Sequence, residues 1–395
     1  MKVGAVVFDT SNNIRGSDRT IINLGSCWAS IGGCKARRIS AIHELPSDVI
    51  WFTNLSYNDF YKAGLHRHPN FRNDGWLRTS FNQLISELGV DNNLVTSNVT
   101  AEVVSTIAHR MVTYAMSKYQ ITPKNKRLNE DFADAFGAPK SQIDDNYYKF
   151  YEAIAEHPSV SVIPTMNFMR SSPTVTVRRN RLEHARDVLA TPVPPDRGWE
   201  LHKNIGSNKG DNWLETVDKP FLVKCSVTNL KPMLAEVLSW GSGAKSVRDW
   251  LTDIEWRVVR ELGDIQVHSA LICNHDAERL EQYSILPNEE YSPISITQGL
   301  VAENIWTSMC NKQHYRADAM RFTAAACWLR SADRMIMFDL AQKLYGRGLT
   351  VFSYGVGNVV LSYPENGLRR ALDISLDFGL LPPANKYQEA KAETV

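Results

Sequence analysis

The chain has 395 residues, with 44 basic and 43 acidic side chains and a net charge of +1. That balance excludes a protein that coats nucleic acid by bulk charge, and 43% hydrophobic against 22% charged residues excludes general disorder. A chain of this length buries about three quarters of its unfolded surface, so its core needs no disulfide or metal staple.

Lys2 to Phe8 reads as a buried strand ending at Asp9, followed by the polar turn Ser11-Asn12-Asn13 and a short strand around Thr20 to Leu24. Residues 49 to 76 show no clean period and are expected to be loop with short elements. Trp76, Leu77, Phe81, Leu84, Ile85 and Leu88 recur at helical spacing before Gly89, a residue suited to a helix C-cap. A second helix follows Ser97 or Asn98, with Val103, Ile107, Met111 and Ala115 on one stripe. Shorter helices are expected over 129–136 and 144–156.

Strands are expected at Val160 to Ile163 and at Thr174 to Val177. Thr191-Pro192-Val193-Pro194-Pro195-Asp196-Arg197-Gly198 is the strongest punctuation in the chain, because proline fixes φ and removes a donor. The second half opens with a strand, Phe221 to Val227, and a helix over 230–240. Ser246 is placed to cap a helix in which Val247, Trp250, Leu251, Ile254, Val258 and Leu262 share a face. A strand over 265–273, a helix over 298–310 and a long helix over 316–345 follow. Gly355 and Gly357 between Val-rich runs predict a hairpin over 350–363, and a last helix follows Pro364. The pattern is an α+β fold, helix-rich, with a C-terminal hairpin. It divides into a mixed region 1–157, a strand and loop connector 158–215, an α/β region 216–383 and an exposed tail 384–395.

The six cysteines are scattered, several in apolar runs, and read as free thiols of a reducing compartment. No secretory signal or apolar run of ~18 residues is present, so a cytoplasmic protein with no membrane partner is expected.

Chemistry-bearing residues are sparse. Gly241-Ser242-Gly243-Ala244-Lys245-Ser246 has the composition of a phosphate loop but neither its spacing nor its strand context, and is read as a turn. Asp9 ends a first strand, where phosphatase, nuclease and actin-like folds carry a catalytic carboxylate, but Thr10-Ser11-Asn12 supplies no second acid. His275-Asp276 lacks further ligands nearby, and Cys27, Cys34, His43, His66 and His68 lack the paired spacing of a zinc site. No catalytic, cofactor or metal set is assigned. The clearest basic cluster is Arg178-Arg179-Asn180-Arg181, continued by His184 and Arg186, whose guanidinium forks suit phosphate or an acidic partner.

The order strand and helix at 221–240, then long helix and hairpin at 316–363, resembles the palm of family A polymerases. In that family one aspartate on the first strand and another in the hairpin turn hold two metal ions. The nearest places here are Ser226 and Gly357, and no fingers-helix lysine motif is evident. The resemblance implies a degenerate, non-catalytic relative.

The absence of a catalytic set, the near-neutral charge, 10 Trp and the long connections combine into one leading expectation. It is a self-assembling viral shell subunit, RNA-associated in the manner of a double-stranded RNA capsid, whose partners are copies of itself in a homo-oligomer, in host cytoplasm or virion. Two alternatives stand beside it. One is a phage-type nucleic-acid-binding accessory protein using Arg178, Arg179, Arg181 and Arg186, and the other is an enzyme with a dispersed site.

Overall fold

The computed structural model describes residues 1–8, 27–55, 57–73, 96–126, 130–131, 134–135, 148–157, 163–164, 172–203, 205, 213–229, 247–280, 295–311, 313–316, 319–383, 386 and 389–390. The expected elements at 20–24, 76–88 and 230–240, the turn at 241–246 and Asp9 lie outside these residues. The fold is mixed α+β. The chain forms two compact units, Met1–Ala135 with Glu289–Asn304 and Pro383–Asn385, and Phe136–Asn288 with Ile305–Pro382 and Lys386–Val395.

The first unit is built on strands β1 (Lys2–Phe8), β2 (Cys27–Ile31), β3 (Arg37–Ile39), β4 (Val49–Thr53) and β5 (Phe71–Arg72), with helices α1 (Tyr57–Lys62) and α2 (Ser97–Tyr119). The sheet order is β3-β2-β1-β4-β5. β2 runs antiparallel to β1, whereas β4 runs parallel to it, from Lys2 opposite Val49 to Val6 opposite Thr53. Every residue of Val49–Thr53 is buried, so β4 has no alternating pattern, which is why its sequence reads as irregular. Gly4 lets Trp51 close over β1, since a Cβ there would lie 2.4 Å from the indole. Helix α2 covers β1 and β2 with Ala101, Ser105, Ala108, Met111 and Ala115, and Ser105 Oγ meets Ser30 Oγ at 2.7 Å.

The second unit contains α3 (Tyr148–Glu156), β6 (Ile163–Pro164), β7 (Thr174–Arg178), α4 (Arg181–Leu189), β8 (Trp199–Lys203), β9 (Phe221–Thr228), β10 (Val247–Thr252), α5 (Asp253–Val259) and β11 (Asp264–Cys273). Helix α6 (Ser295–Met309) is divided between the units at Asn304. Then come β12 (Gln313–Arg316), β13 (Ala319–Arg321), α7 (Ala324–Gly346), β14 (Thr350–Gly355), β15 (Asn358–Ser362) and α8 (Leu368–Asp377). Two four-stranded antiparallel sheets result, β10-β9-β11-β8 and β6-β14-β15-β7. Behind the first lie Phe221, Val223, Cys225, Val227, Leu251 and Trp256; behind the second, Val175, Val177, Phe338, Tyr354, Val359 and Leu372.

The helix expected from Ser246 is instead a strand and a shorter helix. Trp250 and Leu251 pair with Lys224 and Val223, and the turn into helix falls at Thr252. There a capping box closes, with Thr252 Oγ1 accepting from Glu255 N and Glu255 accepting from Thr252 N. The apolar spacing therefore spanned two elements that share one buried side. The long helix starts at Ala324, not 316, because Thr323 caps it and 313–321 pair as a hairpin. Helix α4, which the basic run had concealed, is capped by Asn180, whose Oδ1 accepts from Leu182 N and Glu183 N.

Candidate functional site

The β14–β15 hairpin turns through Gly355, Val356 and Gly357 with φ of 141°, 51° and 68°. A β-branched residue in the left-handed region costs on the order of 1–3 kcal/mol, so something must hold Val356 there. That group is Asp333, fully buried on α7. Its Oδ2 accepts from Val356 N at 2.8 Å, and its Oδ1 accepts from Gly357 N at 3.2 Å and from His184 Nε2 at 2.7 Å. Arg179 Nη1 lies 3.3 Å from His184 Nδ1, and a guanidinium only donates. Nδ1 is therefore the acceptor, and the imidazole proton sits on Nε2, facing Asp333. Arg179 Nη2 in turn reaches Asp187 at 2.5 Å. A continuous line of polar groups thus runs from the surface at Asp187 to the hairpin turn.

Less than one helical turn along α7, Arg334 is fully buried and donates to Glu255 Oε1. Glu255 Oε2 meets His157 Nε2 at 2.8 Å and accepts from Thr252 N at 3.1 Å. Burial opposes ionisation of Glu255, but Arg334 and His157 outweigh it and bring its pKa down to about 2. Asp253, beside it, is pushed up to about 6 by burial, although Trp328 Nε1 donates to its Oδ1 at 3.0 Å. Asp333 and Glu255 are both committed as acceptors to protein donors.

The basic run at 178–186 lies against this hairpin. Arg178 stands opposite Asn358, the first residue after the turn, and Arg179 N donates to Gly357 O at 2.8 Å. Arg178 and Arg181 are buried, Arg186 is half-buried, and Arg179 is engaged with His184 and Asp187. The four arginines do not share one open face. The polymerase resemblance also needs a correction. The hairpin is flanked by the two-residue β6 on its β14 side and by β7 on its β15 side, whereas β9 belongs to the other sheet, where Ser226 Oγ meets His268 Nε2 at 2.7 Å. Beside the hairpin turn, the end of the longer flanking strand β7 is therefore held by Arg178, and Ser226 is not there. A carboxylate at the turn itself is disfavoured twice, since Gly357 has positive φ and a Cβ there would lie 3.0 Å from the His184 ring. The sequence signal for this site was the Arg run next to a Thr-Val strand, with His184 continuing it; the buried carboxylates Asp333 and Glu255 were not singled out, because what they hold lies far along the chain.

Other candidates are placed as follows. Asp276 pairs with Lys219 at 2.6 Å, and the His275 ring packs on Gly198. Cys27 is buried with Sγ on Ile39 O, Cys34 is exposed and His66 stacks on Tyr61. Among the described residues no three His, Cys, Asp or Glu side chains gather as metal ligands. Asn54, at the end of β4, brackets Phe8 at the end of the parallel β1, accepting from its N at 2.9 Å and donating to its O at 3.0 Å. Burial pushes the Cys310 thiol up to about 12 and raises Cys327 as well. No described helix is long and apolar enough to cross a membrane.

No protein-family model matches the sequence, and no curated protein matches it. Solved structures do. Phi29 DNA polymerase in its orthorhombic crystal form matches with a TM-score of 0.50 and 9% identity, covering 92% of this chain and 81% of that one. The same polymerase complexed with single-stranded DNA matches at 0.48, and its ternary complex with primer-template DNA and incoming nucleotide at 0.45, both at 9% identity and covering 92% of this chain and 80% of the other. The chain thus has a polymerase-like fold. This overturns the expectation of a self-assembling viral shell subunit, which had rested on the lack of a catalytic motif and on Trp content. The tryptophans that favoured it are in good part interior: Trp51, Trp256, Trp306 and Trp328 are among the largest fully buried side chains.

Proposed function

We propose that this chain is a nucleic-acid-binding protein with a polymerase-like fold that does not itself polymerise nucleotides. One observation carries the reading: Arg178 and Gly357 occupy the strand end and hairpin turn where the palm resemblance calls for two metal-holding carboxylates. A guanidinium repels the divalent cations that phosphoryl transfer recruits, and a turn whose N–H groups point at Asp333 has no carboxylate of its own to offer. The fold likeness to a DNA polymerase supports a nucleic-acid partner, and a balanced charge of +1 is compatible with a local rather than a global interface.

Primer extension with the purified protein, a primer-template duplex, the four nucleotides and either Mg²⁺ or Mn²⁺ tests this. The expectation is oligonucleotide binding without extension. Extension that follows the protein through purification would overturn it.

A further inference from the structure

Helix α3 is flanked by two clefts on the second unit, neither of which involves the hairpin turn. One, of 410 Å³, is walled by Tyr148, Tyr151, Glu152, Arg321 and Phe322. The other, of 290 Å³, runs over the sheet β10-β9-β11-β8 and is lined by Lys149, Lys203, Lys224, Trp250, His268 and Glu156 among others. Glu152 lines both, so the clefts adjoin across the helix.

Their composition alternates rings and cations. Tyr148 is 57% exposed, more than any other large hydrophobic side chain among the described residues, and the ammonium of Lys149 lies 5.0 Å from its ring. The Arg321 guanidinium lies 4.7 Å over Tyr151. Lys149 pairs with Glu152 at 2.6 Å and Lys224 with Glu156 at 2.9 Å, which fixes two ammonium groups along the helix. Lys203, at the exposed end of β8, has no ion pair among the described residues. The four basic side chains Lys149, Lys203, Lys224 and Arg321 face two carboxylates, Glu152 and Glu156, so the surface keeps a positive surplus that the whole chain lacks.

An exposed ring, Tyr148, set among cations, with the half-buried Phe322 and the cation-covered Tyr151 beside it, forms a stacking platform of the kind that suits single strands, whose bases are free to leave a helix. Bases stack on rings regardless of sequence, and the backbone follows the positive charges. We infer that a single-stranded nucleic acid lies across helix α3, with a base stacked on Tyr148 and its phosphates passing Arg321, Lys149 and Lys203. This inference rests on the nucleic-acid reading above and names its surface and strand preference.

Fluorescence anisotropy with labelled oligothymidylate, oligouridylate and a blunt duplex tests it on the full chain. Tyr148 and Lys203 are exposed, so Tyr148→Ala and Lys203→Ala leave the fold intact, which circular dichroism verifies. The expected results are single strands bound in preference to duplex, about tenfold weaker binding in Tyr148→Ala, recovery in Tyr148→Trp, and a salt slope lower by about one in Lys203→Ala. Comparing the thymidylate and uridylate arms reports whether DNA or RNA is preferred. If the wild-type chain binds single strands and both alanine variants bind equally well, the surface is wrong while nucleic-acid binding stands. Duplex preference would also overturn the assignment to α3. If the wild-type chain binds none of the three, both readings fall.

Discussion

Asp333 and Glu255 are both buried acceptors, one holding the hairpin turn and His184, the other Arg334 and His157, and each is best probed by removing one contact. Gly357 is needed for its left-handed φ and for the room it leaves to His184. Gly357→Ala is expected to cost about 1–2 kcal/mol in denaturant unfolding, with Gly357→Asp no better, because neither can relax the turn. The Glu255–Arg334 pair is buried on both sides, so Arg334→Met takes the guanidinium from a buried carboxylate, leaving it His157 and Thr252 N, and should cost about 3 kcal/mol. Replacing both partners by apolar residues should recover part of that loss, and a double-mutant cycle measures how much. Because the folded pKa of Glu255 lies below its ordinary 4.5, its contribution is present above that value and fades as pH falls from 4.5 toward 2. Asp253 behaves in the opposite sense. Its pKa is raised from 3.8 to about 6, so its contribution is complete below 3.8 and is lost as pH rises through 6. Asp253→Asn keeps an acceptor for Trp328 and should therefore raise the melting temperature above pH 6 and change little near pH 4; an unchanged stability at neutral pH would refute the account of this residue.

At the scale of elements, the capping box at Thr252 decides where β10 ends and α5 begins. Thr252→Ala should destabilise by ~1 kcal/mol through the lost cap, and Thr252→Ser should restore most of it. The same junction explains what could be read in advance. Thr350 to Ser362 was legible as a hairpin because turn glycines and alternating Val residues are local signals, and α2 was legible from its apolar stripe. The boundary at Thr252 was not, since Trp250, Ile254 and Val258 keep helical spacing across a strand-to-helix turn whose pairing with β9 is a long-range fact. Strand β4 was missed for a related reason, being buried on both faces. The arginines of 178–186 were visible as a cluster, but the pairing of Arg178 with Asn358 and Leu381 depends on partners far along the chain. Ser226 was singled out by order along the sequence, and pairing within the sheet moved that position to Arg178.

At the scale of the whole molecule, a polymerase-like fold carries a hairpin whose electrostatics run opposite to those of a metal site. Backbone N–H groups of the turn point at a buried carboxylate, and a guanidinium occupies the neighbouring strand end. Such a protein should hold nucleic acid through fixed side-chain cations, with no divalent ion in the contact. The most direct test is an anisotropy titration of a short labelled single strand carried out in Mg²⁺ and again in excess chelator, each at two salt concentrations. The account predicts the same affinity with and without the metal, and affinity that weakens as salt rises. Binding that appears only with Mg²⁺, or no binding in either condition, would contradict it.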